Sequence, residues 1–223
     1  MFLGDIITPE LRPILWDAVI QTFQLVGFTL VIGGVIGLGL GALLYATRPT
    51  NLLANTVVYN LLNVAVNIVR PIPFIIFITA MAPLTKEVMG TRIGTEAAIF
   101  PMTVMAVFVI GRVVEQNLVA VDPGVVEAAR AMGTGRLRTL LTVVIPEGLA
   151  PLVLGYTFIF VAIVDMSAMA GYVGGGGLGD FAQQYGYQQF NWKLTVVVIA
   201  MLIVLVQLGQ WLGNRLARRA LHR

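Results

Sequence analysis

Asp122–Pro146 reads DPGVVEAARAMGTGRLRTLLTVVIP, a charged stretch rich in helix formers with strongly apolar sequence on both sides. Asp122 can cap a helix, and Pro123 suits the first helical position, where its missing N–H costs nothing. Val125–Met132 then reads as one short helix, with Glu127 and Arg130 three apart on one face. Gly133 stands where a C′ glycine lets the chain turn through a positive φ. A second helix is expected from about Gly135, carrying Arg136 and Arg138, with Pro146 at its junction with the next apolar run. The stretch therefore predicts a compact, basic helix–turn–helix held between two membrane segments.

The flanking sequence sets the class. Of 223 residues, 58% are hydrophobic and 11% charged, with a mean hydropathy of +0.89. A soluble domain carries roughly 25% charged residues, so the composition is that of an integral membrane protein. Cys is absent, which excludes disulfides and thiolate metal sites. The single histidine, His222, is expected to be a solvated tail residue, so a His-based metal or catalytic cluster is excluded. The N-terminal Met-Phe-Leu-Gly-Asp lacks a basic region, and no cleavable signal peptide is expected.

Outward from the loop, five spans are expected. The first, about Leu25–Tyr45, lies in the uncharged run between Asp17 and Arg48. Its Gly33, Gly37 and Gly41 follow small-xxx-small spacing, which lets a neighbouring helix approach closely in lipid; ordinary glycine enrichment of membrane helices is the other account. Leu52–Pro83 would be about 48 Å of helix, against an apolar core of roughly 30 Å. Asn60, Asn63, Asn67 and Arg70 fall on one stripe of it. The expectation is a helix that enters at the cytoplasmic interface and spans from about Val64 to Ala82, bent or locally unwound at Pro71 and Pro73. Arg70 would then lie around 20 Å from the outer end, close enough to the inner surface to snorkel. The stripe should face a partner helix or the pathway. The third span is Ala97–Gly111, between Glu96 and Arg112, and the fourth is about Gly148–Val164, ending in Asp165, Met166, Ser167, Ala168 and Met169. The loop GYVGGGGLGDFAQQYGYQQFN follows, and Leu194–Asn214 is the last span. A phosphate-loop reading of Gly174–Gly177 fails, because no strand precedes it and no Lys-Ser/Thr pair follows. A flexible outer loop packed over the pathway is expected instead.

Lys and Arg set the orientation. With the C-terminus inside, Arg48, Arg112, Arg130, Arg136, Arg138, Arg215, Arg218, Arg219 and Arg223 are cytoplasmic. Only Arg12, Lys86, Arg92 and Lys193 lie outside, and Arg70 is intramembrane. The charged loop falls in the cytoplasm without having been assumed to do so.

The loop resembles the cytoplasmic loop of ABC-importer permeases, whose motif is E-A-A, three residues, G, nine residues, then I-x-L-P. Glu127, Ala128 and Ala129 are followed at that interval by Gly133, and Val143, Val144, Ile145 and Pro146 fill the closing positions. VNIVRPIPFIIF, GRVVEQNLVAVDPGVVEAARAMG and SAMAGYVGGGGLGDFAQQYGYQQF resemble blocks of the methionine-type permeases, so the likeness runs over nearly the whole chain. It departs at Asp165, where a small or uncharged residue is expected. A second Glu-Ala-Ala at Glu96–Ala98 lacks the downstream Gly and Pro and is read as coincidence.

The resemblance implies an all-α integral membrane fold of the type I importer kind, with five transmembrane helices. Residues 1–223 would form a single permease domain, with the coupling loop at about 120–146. It implies a homodimer in a bacterial inner membrane, with the N-terminus outside. Two cytoplasmic ATP-binding subunits and an extracytoplasmic substrate-binding protein would complete the assembly, with no nucleic acid. ATP and Mg belong to the partner ATPase; no catalysis, cofactor or metal is expected in this chain. Glu127, Ala128, Ala129, Arg130, Met132 and Gly133 would couple to the ATPase. Met169 and Ser167 are the candidate constriction, a soft thioether being able to seal an apolar pore and yield to a passing side chain; plain packing is the competing account. Asn67 and Arg70 are candidate path residues. A permease for another small solute is the alternative within the superfamily. The alternative from a different class is a channel or an ion-coupled carrier. A carrier should hold several intramembrane carboxylates or an inverted repeat, and only Asp165 lies near a span end.

Overall fold

The computed structural model describes residues 8–221; His222, expected to be a solvated tail residue, lies outside them, as does Arg223. The described chain is all-α. Helix α1 (Leu11–Phe28) passes through a π turn at Thr29–Gly33 into α2 (Gly34–Thr47). Then come α3 (Thr56–Val69), α4 (Phe74–Ala80), α5 (Ala82–Met89) and the 25-residue α6 (Thr95–Val119). Helix α7 (Pro123–Ala131) and α8 (Arg136–Thr139) form the loop, followed by a π turn at Leu140–Val144 and α9 (Ile145–Glu147). The chain closes with α10 (Leu149–Tyr172), the short α11 (Gly177–Phe181), a π segment at Ala182–Tyr187 and α12 (Trp192–Leu221). Four helical runs are long and apolar enough to cross a membrane, and the bent α3–α4 pair makes a fifth.

Several expected boundaries shift. The first run is 37 residues, Leu11–Thr47, not the segment from Leu25. At 1.5 Å per residue it is about 55 Å long, more than the apolar core needs. The expected Val64–Ala82 span does not exist as one helix, because α3 and α4 meet at 106°. Pro71 and Pro73 supply no backbone donors, so the helix is interrupted between Val69 and Phe74, at the expected place. The estimated depth of Arg70 fails with it. Helix α6 runs past Arg112, and α10 runs past Asp165 to Tyr172. The glycine-rich loop is not flexible coil, since it folds into α11 and a π segment.

The chain divides into two compact units. The first holds residues up to Ile32, Ile72–Met105 and Phe160–Gly209. Within it Leu15 and Ala18 of α1, Leu178 and Phe181 of α11, and Leu194 and Val198 of α12 form a buried core. Phe181 and Tyr185 add an aromatic pair with ring centroids 4.9 Å apart. Helix α11 is anchored at its start by α1: Gln21 Oε1 accepts from Gly177 N at 2.7 Å, and Thr22 Oγ1 accepts from Leu178 N at 2.8 Å. Two of the otherwise orphaned helix-start donors are thereby satisfied.

The second unit holds Gly33–Pro71, Ala106–Ile159 and residues from Gln210 on. Its seam is α2 against α6. A Cβ at Gly37 would lie 2.7 Å from Ile110, and one at Gly41 would meet Val114 and the Gly111 carbonyl. Both positions thus require a residue without a side chain. The Tyr156 hydroxyl closes the seam on α10 by donating to the Gly34 carbonyl at 2.6 Å.

Candidate functional site

Helix α7 is the first element of interest. Asp122 Oδ1 accepts from Gly124 N at 2.8 Å, and Pro123 occupies the first turn. At the other end Gly133 takes φ +82, its N–H donating to the Arg130 carbonyl at 3.0 Å. Thr134 N donates to the Ala129 carbonyl at 3.2 Å. This 6→1 and 5→2 pair is a Schellman stop, with glycine in the left-handed position. Ala129 alone is buried; Glu127, Ala128 and Arg130 are exposed, and Met132 is 80% exposed. The helix is fixed by its caps and one alanine and presents the rest of its surface outward. Pro146 stands at the expected junction between the second helix of the loop and the apolar run of α10. A π turn at Leu140–Val144 leads directly into it, so the helical path continues past a residue with no N–H to give.

Next to α7, the turn between α2 and α3 lines one wall of a cavity of about 340 Å³. Arg48, Thr50 and Asn51 line it from that turn, and Pro123, Val126, Glu127 and Arg130 line it from α7. Beyond it lies a polar cluster. Glu115 of α6 is 1% exposed. Its Oε2 accepts from Arg112 Nη1 at 2.6 Å, and its Oε1 lies 3.5 Å from Arg48 Nη1 and 3.4 Å from the Tyr59 hydroxyl. Arg112 Nη2 also donates to Asn63 Oδ1 at 2.6 Å and Asn67 Oδ1 at 2.7 Å.

Two members of the expected stripe, Asn63 and Asn67, therefore face a helix-borne arginine, while Asn60 is exposed. Arg112 lies within α6 rather than at its end, with its side chain 13% exposed. Arg70 caps α3 at the break and is exposed. Glu115 was not among the sequence candidates. Its only signal was the i, i+3 spacing from Arg112, hidden once the span was ended at Arg112.

In the other unit Ser167 is buried, its hydroxyl donating to the Val164 carbonyl at 2.7 Å. Met169, two residues on, is 36% exposed on a different face of α10. Asp165 is exposed. The end of α10 lies against the glycine segment: a Cβ at Gly171 would meet Gly179 at 2.7 Å, and one at Gly175 the Ala170 carbonyl at 2.7 Å. Those glycines permit backbone-on-backbone contact, the reverse of flexibility.

Comparisons with known proteins agree with this architecture. Residues 33–222 match the family described as binding-protein-dependent transport system inner membrane component. The chain is 41% identical over 210 residues to the probable D-methionine transport system permease protein MetI of Vibrio cholerae, covering 94% of this chain and 93% of that one. Against the D-methionine transport system permease protein MetI of Escherichia coli K12 it is 42% identical over 163 residues, covering 72% and 75%. The solved structure described as inward-facing conformations of the MetNI methionine ABC transporter superposes with a TM-score of 0.93 at 40% identity, covering 96% of this chain and 99% of that one.

Proposed function

The chain belongs to the binding-protein-dependent transport system inner-membrane family, and from that premise we propose that it is the permease subunit of an ABC importer for methionine. The carrying observation is α7: a capped, Schellman-terminated helix whose Glu127, Ala128, Arg130 and Met132 are open to a partner. The near full-length likeness to proteins named for D-methionine transport supports the substrate, in the L form, the D form or both.

Two copies of this chain form the translocator, each supplying one coupling helix to one of two cytoplasmic ATPase subunits. Hydrolysis, with its ATP and Mg²⁺, belongs to those partners, and an extracytoplasmic binding protein delivers the substrate. The N-terminus lies outside and the C-terminus inside. The basic residues of the α7–α8 loop and the tail favour that orientation. When the ATPases close, Glu127–Gly133 is displaced and the spans behind it reorient the pathway. Met169 is its constriction, with Ser167 behind it. Asn67 acts through Arg112 to set the helices beside the path, and Arg70 marks the break of the second span.

Purification in mild detergent and reconstitution into vesicles test this reading. A co-purifying ATPase and ATP-dependent, binding-protein-dependent methionine uptake are expected. A chain that assembles with no ATPase, or a complex that moves another solute and not methionine, overturns it.

A further inference from the structure

Glu115 is the one carboxylate buried among the described residues, and it is shared unequally by two guanidiniums. Arg112, three residues away on the same helix, holds it at 2.6 Å and is itself locked by Asn63 and Asn67 of α3. Arg48, at the end of α2, sits looser at 3.5 Å with its side chain 40% exposed. The two cations are therefore not equivalent. Removing Arg112 would strand a buried carboxylate, which is costly. Releasing Arg48 would leave Glu115 still neutralised by Arg112 and would return a hydratable guanidinium to water, which is cheap. The same Arg48 lines the cavity that Glu127 of α7 also lines. Glu115 in turn lies one helical turn before the end of α6 at Val119, and a three-residue link from there leads to α7, with Asp122 as its cap.

We propose that Arg48 is a positioning residue for coupling: it latches the α2–α3 corner onto Glu115 in the present arrangement and passes to Glu127 when α7 moves into the cavity. The ends of α2 and α3 would thus sense the coupling helix by the exchange of one cation between two carboxylates, one buried and one exposed. The latch rests on the permease reading above.

Two measurements on the complex reconstituted with its ATPase and binding protein decide it. The first is methionine moved per ATP hydrolysed. Arg48→Gln removes the cation; uptake per ATP should fall by roughly tenfold, within the usual range of coupling between sites, while basal hydrolysis stays near wild type. Arg48→Lys keeps the charge and should restore most of the ratio, which a packing role for the side chain would not. The second readout needs no substrate. Cysteines at Thr50 and Val126, which line the cavity from the α2–α3 turn and from α7, are bridged by a bismaleimide with and without ATP. The chain's lack of Cys makes the pair unambiguous. Bridging should depend on nucleotide with Arg48 present and lose that dependence in Arg48→Gln. An unchanged transport ratio in Arg48→Gln, or bridging that responds to nucleotide equally in both backgrounds, overturns the latch. A complex that hydrolyses ATP and bridges as expected but moves no methionine would count against the substrate reading and leave the latch standing.

Discussion

At Gly133 the backbone takes φ +82, and no heavy atom lies within 4 Å of where a Cβ would go. Its requirement for glycine is conformational rather than steric. An ordinary residue in that region costs about 1–2 kcal/mol, and a β-branched one more. Gly133→Val should therefore lower uptake and stimulated ATPase activity in a chain that still inserts, while Gly133→Asn, which tolerates the left-handed region, should retain most of both. Equal activity in the two variants would detach the Schellman stop from coupling. Met169 is the second test. Because it is 36% exposed, truncation should cost well under the about 2–5 kcal/mol of a buried Met→Ala change. If Met169 meets its copy in the dimer, Met169→Ala should leak ions without ATP in vesicles where the wild type is tight. A tight but destabilised dimer would make it packing. Gly133 was legible in the sequence because a helix stop has a local signature. Glu115 was not, because its partners Arg48 and Tyr59 lie 67 and 56 residues away and its burial is set by them.

Helices α6 and α10 are longer than their uncharged cores, for a different reason in each. A charge at Arg112 or Asp165 predicts the end of a span only where charge marks water. Arg112 stays inside α6 because Glu115, Asn63 and Asn67 accept from its two terminal nitrogens, while its Nε is buried without a partner, and Asp165 stays on an exposed face of α10. The turn at Pro71–Pro73 was legible as a break, but its angle was not, since two prolines remove donors without specifying a direction. The α2–α6 seam gives the element-scale test. Gly37→Val would drive its side chain into Ile110 and should cost roughly 1–3 kcal/mol, read as a lower melting midpoint in detergent. Gly39 has nothing within 4 Å of its Cβ position, so Gly39→Ala two residues away should leave the midpoint unchanged or higher. If both behave alike, the small-residue row does not set the helix spacing.

For the whole molecule the number of spans was legible from hydropathy, while the interleaved division into two units was not, because it follows packing rather than chain order. Orientation is open to a direct test. In intact cells an impermeant thiol reagent should label a cysteine at exposed Gln184 and spare one at Thr134; the reverse would put the α7 loop outside. The link between α1 and α11 bears on how such a chain is made. Gln21 and Thr22 emerge from the ribosome more than 150 residues before the Gly177 and Leu178 donors they accept. Biogenesis must therefore hold the first helix in waiting while all the intervening spans insert. Until then Gln21 and Thr22 lack the two amides they accept from in the folded chain. The first helix made is thus tied to a segment made late, so a chain truncated before Gly177 should leave Gln21 and Thr22 without these partners.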